Sequence, residues 1–479
     1  MTTTRIECDC LGTMEIPDDR YYGIQTSRMV KVSGCAHLPV IFHPGMHRAL
    51  FRIKKACALA NAEIGALKPE IARAIVEACD RALAGEFDNE FPLDMWQGGG
   101  YTCVNMNVNE VIGNAANEIL TARKGQDAVH PNTHVNKAQS TNDTIPSATT
   151  HLAVAPELDR IIEGVEALGD VFAAKAEPFR HVVKVGRTCW QDALPLTLGQ
   201  EFGGYAALMR RLAGKLRAVR PECFEICMGG SAVGTGLGAD PGYMDAFYRH
   251  LSDIYGEEVR PTASLFDGLQ NADFFVTVSG LVKEVATSLS KIAKDLRLMS
   301  SGPRSGFMEV RLPALSPGSS IMPGKINPTV PEMVIQIAHQ VVGNDVAVSM
   351  AYDEGELDLN VWDATFYKCL FESMQLVGDE LVILRRDCVE GIVACEDRCR
   401  AEAESSIALS TVVAATFGYP EGVKVAQYCE EHGVTVKEAV LAMGLLNEAD
   451  ADRLIDPILM TDPEAMARAI AEFRARIDG

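Results

Sequence analysis

Apolar residues recur at three- and four-residue steps through the middle of the chain. From Leu158 the positions Ile161, Ile162, Val165, Leu168, Phe172 and Ala176 form one stripe, which predicts a long amphipathic helix. A second stripe, Val278, Leu281, Val282, Val285, Leu289, Ile292 and Leu296, predicts a helix starting near Asn271. It should end before Ser301-Gly302-Pro303, where glycine and proline close it. Two more long helices are expected over about 330–352 and 360–388. Helices of this length with Ala and Val on several sides bury more than one face, so they imply a bundle completed by further helices or by other subunits. Strand alternation is scarce and no βαβ unit can be assembled, so the expected fold class is all-α.

Turn signals divide the chain softly, near Thr141 to Pro146 and near 395–400. The expected division is a mainly helical N-terminal domain (1–141), a central long-helix domain (142–396) and a small helical C-terminal domain (397–479). Composition narrows the function classes. The 479 residues carry 44 Lys and Arg against 65 Asp and Glu, a net charge of −21 that argues against a general nucleic-acid or anionic-membrane binder. No apolar run is long enough for a membrane span or a signal peptide, and a cytoplasmic location is expected. The 14 cysteines are scattered. The pairs Cys223/Cys227 and Cys395/Cys399 lack CxxC spacing, so packing is expected of them and no metal.

Two motifs are decoys. Gly234-Thr235-Gly236-Leu237-Gly238-Ala239 fits a dinucleotide fingerprint, but no strand or βαβ context surrounds it. Gly324-Lys325 is reminiscent of a phosphate loop, yet Ser319 stands where its first glycine belongs and Ile326 where Ser or Thr belongs. No cofactor is expected. Four polar clusters remain: Gly98 to Asn107, with Tyr101 and Thr102; His134 to Asp143, with Ser140, Thr141 and Asn142; Gly186 to Asp192, with Thr188, Cys189 and Trp190; and Gly318 to Pro328, with Ser319, Ser320, Lys325 and Asn327. Each alone suits a helix cap or a turn. Together, hydroxyls, amides and one lysine are what a pocket needs to grip a small carboxylate.

The fourth cluster resembles the GSSxMPxKxN signature of the aspartase/fumarase superfamily, and the other three resemble its remaining active-site segments in the same order. The opening stretch RIECDCLGTMEIPDDRYYGIQTSR and Gly355 to Val361 are similar to that family as well, so the likeness spans nearly the whole chain. The resemblance implies a homotetramer of three-domain helical subunits, with active sites built from three of them. It also implies anti elimination without a cofactor: a base takes a proton from the carbon beside one carboxylate, and ammonia, an amine or water leaves from the neighbouring carbon. By the same resemblance Ser319 is the base. Thr102, Ser140, Thr141 and Ser320 stabilise the aci-carboxylate; Lys325, Asn327 and Thr188 hold the other carboxylate; Asn142 faces the leaving amino group.

Three departures bear on the substrate. Cys189 follows Thr188 where many fumarases carry histidine, and Glu332 lacks the histidine it usually partners. Hydroxide needs a proton donor to leave whereas ammonium brings its own proton, so Cys189 favours C–N cleavage. Tyr101 and Trp190 replace a glycine and a leucine. They suit repacked loops, or an aromatic cage for a quaternary amine, as in a trimethylamine lyase of the ergothionase kind. Lys368 would then meet a heterocycle, or else is a helix-surface charge. The leading expectation is an ammonia-lyase converting L-aspartate to fumarate and ammonia. The alternatives are the trimethylamine lyase, a fumarate hydratase, and a catalytically silent helical homologue.

Overall fold

The computed structural model describes residues 3–32 and 34–477, without the side chains of Thr150 and Ile477. A hairpin of β1 (Thr4–Asp9) and β2 (Gly12–Pro17) precedes α1 (Ile24–Val30), α2 (Gly45–Glu63), α3 (Pro69–Leu83) and α4 (Thr102–Thr121). From 141 to 179 the chain is helical with scarcely a break: α5 (Thr141–Pro146), a π-helical turn at Ser147–Leu152, and α6 (Val154–Phe179). Pro146 lacks an N–H, and the widened turn begins directly after it. A second hairpin, β3 (Val183–Thr188) and β4 (Gln191–Thr197), leads into α7 (Leu198–Val219). Then come β5 (Glu225–Ile226), α8 (Tyr243–Tyr255), β6 (Arg260–Pro261), α9 (Leu265–Gln270) and α10 (Asp273–Met299). β7 (Val310–Arg311), α11 (Thr329–Asp353), α12 (Asp363–Asp387) and β8 (Val393–Ala394) follow. Six shorter helices end the chain: α13 (Glu396–Ser405), α14 (Ser410–Phe417), α15 (Tyr419–His432), α16 (Val436–Ala442), α17 (Glu448–Leu454) and α18 (Pro463–Ile477).

The fold is all-α, and α6, α10, α11 and α12 lie where the apolar stripes predict them. The strands form four two-stranded sheets among the described residues, and the two hairpins were not anticipated. The reason is local. In β3, Val183, Lys184, Val185 and Gly186 are all buried, so no alternation shows. Lys184 tolerates this because its ammonium meets Glu201 at 2.6 Å and Glu309 at 2.9 Å.

The chain forms two compact units, each gathered from separate stretches. The first comprises Met1–Ile162, Gly214–Ala286 and Ile337–Gly378; the second Glu163–Ala213, Thr287–Gln336 and Asp379–Gly479. In the first unit α4 is buried on every side from Val104 to Asn117. A helix with no solvent face must satisfy the loops around it, and its asparagines do so. Asn107 donates to the Glu90 carbonyl at 3.0 Å, Asn114 to Tyr21 at 2.8 Å, and Asn117 to Val129 at 2.6 Å. In the second unit Phe172, Phe179, Phe202 and Tyr205 pack edge to face and tilted. Residues 409–473 of the tail bury a cluster of their own, centred on Val413, Val425, Val440 and Leu454.

Candidate active site

The His134–Asp143 cluster ends on the N-terminus of α5. Ser140 caps it, accepting the Asn142 N–H at 3.2 Å, while Asp143 returns the bond by accepting the Ser140 N–H at 2.9 Å. Asp143 also accepts the N–H groups of Gly229 and Ser231 at 3.1 and 2.9 Å. Burial nevertheless pushes its carboxyl up to about 6, against these donors. Thr141 Oγ1 accepts from Asn105 Nδ2 at 3.0 Å. Asn142 donates to the Ala232 carbonyl at 2.8 Å. Thr102 opens α4 in the same unit, with its hydroxyl on the Gly99 carbonyl at 2.8 Å.

Tyr101 precedes it with φ 55°, a left-handed N-cap. Its ring is fully buried (0% exposed), and its hydroxyl donates to the Met95 carbonyl at 2.9 Å. Its ring therefore offers no open face to solvent. Trp190 differs. It is 69% exposed.

Trp190 sits with Cys189 at the tip of the β3–β4 hairpin. Thr188 and Gln191 pair across the strands, which leaves Cys189 and Trp190 as a two-residue turn. Both have positive φ, 52° and 63°, the sign of a type I′ turn normally built from Asn and Gly. Two bulky residues held there are strained, and such strain gathers at working sites. An open cleft of about 680 Å³ in the same unit is lined by Arg187, Thr188, Cys189, Trp190, Leu194 and Phe307. Arg187 lies over the Phe307 ring at 4.2 Å and is anchored to Glu309 at 2.5 Å and Glu402 at 3.1 Å.

The signature loop belongs to the same unit. Ser319 Oγ accepts two backbone N–H groups, from Met322 at 2.9 Å and Ile321 at 3.2 Å. The loop is tied at its base by Gly318 N–H to the Lys325 carbonyl at 2.7 Å and by Asn327 Nδ2 to the Gly318 carbonyl at 2.9 Å. Among the described residues the Lys325 ammonium has no carboxylate partner, so its charge is available to an anion. Ser320 is exposed. So is Ile321, at 83%.

Lys368 pairs with Glu372 at 2.7 Å along α12 and is half-buried. Glu332, without a histidine, meets Arg297 at 3.3 Å. Gly234, Gly236 and Gly238 turn a loop with φ of 106°, 68° and 103°, and no helix starts there. Cys223, Cys227 and Cys399 are buried, and Cys395 is half-buried. Burial pushes the Cys227 thiol up to about 12.

One residue escaped the sequence reading. Lys54 on α2 is fully buried, and its ammonium donates to Asn105 Oδ1 at 2.7 Å, Gln139 Oε1 at 2.7 Å and Asn136 Oδ1 at 3.1 Å. Burial pulls its pKa down to about 8. The signal was present: Leu50, Lys54, Cys57 and Asn61 share one face of α2, so a lysine occupies a position in an otherwise buried stripe.

The family described as Lyase matches residues 12–343, and that described as Fumarase C C-terminus matches 409–462. Over 461 residues the chain is 43% identical to an aspartate ammonia-lyase of Pseudomonas canavaninivorans, covering 96% of this chain and 97% of that protein. It is 42% identical over 466 residues to a mitochondrial fumarate hydratase of Danio rerio, covering 96% and 90%. Among solved structures, the fumarate lyase:delta crystallin of Brucella melitensis bound to cobalt matches with a TM-score of 0.93 at 42% identity, over 96% of this chain and all of that one.

Proposed function

Because the chain belongs to the lyase family of the aspartase/fumarase type, we propose that it converts L-aspartate to fumarate and ammonia by anti elimination. The bond to Ser319 Oγ from two backbone N–H groups is the observation that carries this reading. Donors on an oxygen favour its charged form, so the Ile321 and Met322 N–H groups lower the cost of a serine alkoxide. That alkoxide takes the proton from C3 of aspartate. The C–H electrons pass into the adjacent carboxylate, giving an aci-carboxylate, and return to form the C2=C3 bond as the C2–N bond breaks and ammonia leaves. Ser319 then loses its proton to solvent.

Thr102, Ser140, Thr141 and Ser320 supply hydroxyl donors to the dianionic oxygens as charge develops there. Lys325, Asn327 and Thr188 take the second carboxylate, and Asn142 lies toward the amino group. No cofactor is called for, because the pair released from the C3–H bond ends in the new C2=C3 bond and the C2–N pair leaves with the amine, so no external electron sink is needed. The site is completed in a homotetramer. In support, α11 presents Val342, Val346 and Met350 to solvent one turn apart, Met350 at 61% exposure, the stripe a neighbouring helix would cover.

The fumarate hydratase relative is nearly as similar as the ammonia-lyase, so identity alone does not choose between amine and water. Cys189 favours the amine: a thiol at the hairpin tip offers no imidazolium to protonate departing hydroxide. The test is turnover of L-aspartate, L-malate and ergothioneine offered separately, followed by the absorbance of the new double bond. Aspartate alone should react. Malate alone would refute the reading of Cys189, and ergothioneine alone would favour the larger amine, with Trp190 as its aromatic contact.

A further inference from the structure

We propose that Lys54 is a positioning residue for the carboxylate site, a buried ammonium that fixes the direction of a hydrogen-bond relay so that Thr141 turns its proton toward substrate. The inference rests on the role given to Thr141 above. An ammonium has three N–H donors and no acceptor, and here each donor meets an amide oxygen: Asn105, Gln139 and Asn136. None of the three carboxamides can flip without setting its NH2 group against the cation.

Asn105 Nδ2 is thereby forced toward Thr141 Oγ1 at 3.0 Å, and it also meets Asn136 Oδ1 at 3.2 Å. Thr141 accepts on one lone pair, and its own hydrogen is left to point elsewhere. The relay runs one way, from ammonium to amide to hydroxyl to anion. It sets positive charge behind a neutral donor, where a directly exposed lysine would bind substrate and transition state alike.

Gln139 and Asn136 extend the effect to the neighbouring cap. With their oxygens on Lys54, Gln139 Nε2 donates to the Val135 and Lys137 carbonyls at 3.0 and 3.1 Å, and Asn136 Nδ2 to the Gln139 carbonyl at 3.1 Å. These bonds close the turn that delivers Ser140 to the start of α5. Lys54 thus orders two of the hydroxyls assigned to the aci-carboxylate, from a position that touches neither.

The experiment compares the full-length protein with Lys54→Met, Thr141→Val and the double variant. It reads kcat and KM on whichever of aspartate or malate the wild type turns over, and the calorimetric Kd for succinate, a saturated diacid that is not turned over. Lys54→Met should lower kcat by roughly 30-fold or more and weaken succinate by about tenfold or less, because the dianion forms only on the reaction path. The double variant should be no more than about threefold worse than the poorer single variant. A folded Lys54→Met with kcat and Kd within about threefold of wild type overturns the proposal, as does a double variant whose losses multiply. If Lys54→Met does not fold, Asn105→Leu cuts the relay one step on and must show the same loss and the same non-additivity with Thr141→Val. Succinate bound by the wild type and weakened in the variant, with no turnover of any substrate, would refute the proposed reaction while sustaining this inference. Aspartate turnover with an unaffected variant would do the reverse, and a wild type that neither reacts nor binds succinate would overturn both.

Discussion

Replacing Gly318 by alanine should cripple the reaction while sparing the fold. A Cβ on Gly318 would stand 2.7 Å from the Asn327 nitrogen, 2.8 Å from the Lys325 carbonyl oxygen and 3.0 Å from Asn327 Cγ. Comfortable contacts begin at about 3.5 Å, so backbone must retreat by roughly 0.7 Å or more. What retreats is the base of the loop: Gly318 and Lys325 share a 2.7 Å hydrogen bond, and Asn327 holds the Gly318 carbonyl at 2.9 Å. Lys325 and Asn327 are thus displaced together, and Ser319 follows as the next residue. A misplacement approaching 1 Å costs about 10²-fold, so kcat should fall by roughly 30- to 100-fold. The loop is exposed, so the melting temperature should stay within about 3 °C of wild type. Gly324 is the control. It has φ 81° and nothing within 4 Å of a Cβ, so Gly324→Ala meets conformational strain of about 1–2 kcal/mol without a collision and should lose less than about 20-fold. The assay is the initial rate of fumarate absorbance at saturating aspartate, beside a melt of each variant. Near-normal kcat in Gly318→Ala, or a greater loss in Gly324→Ala, would refute the reasoning.

Two further outcomes are expected. Tyr101→Phe removes the buried bond to the Met95 carbonyl and should cost about 1–2 kcal/mol of stability with kcat and KM unchanged; a substrate-dependent change in KM would place the ring in the site after all. Lys54 is held near 8 by burial, against about 10.4 in an unfolded chain, and the unfolded state therefore binds the extra proton between those values. Its contribution to stability is present above the unfolded value and lost as pH falls toward 8. Wild type should gain on Lys54→Met by about 1.4 kcal/mol per pH unit across that window, with Cys57, Cys79 and Asp143 as the titratable groups that face it. Denaturant melts at pH 7, 8.5 and 9.5 read this directly, and parallel curves for the two proteins would contradict the burial of a charged lysine.

Much of this was legible in the sequence, for identifiable reasons. The stripes of α6 and α10 are long and periodic, so each helix declares itself without help from its neighbours. The clusters around Ser140 and Ser319 are short and local: a capping box and a loop closed within ten residues carry their geometry in their spacing. What escaped needs the third dimension. The β3 strand hides its alternation because Lys184 spends its charge on Glu201 and on Glu309, which lies over a hundred residues away. Tyr101 is aromatic beside a glycine run, and only packing reveals that its ring is buried with its hydroxyl on the Met95 carbonyl. Lys54 draws its partners from α4 and from the turn before α5, so its place on the buried face of α2 could mark it as buried but not show what it meets.

The most direct measurement is the rate of Ser319→Ala, taken with its succinate affinity. If the serine oxygen held by Ile321 and Met322 is the group that takes the proton, kcat should fall by about 10³-fold while succinate binding and the melting temperature hold. A variant that keeps its kcat within tenfold of wild type would mean that Ser319 only caps a turn and that another group is the base.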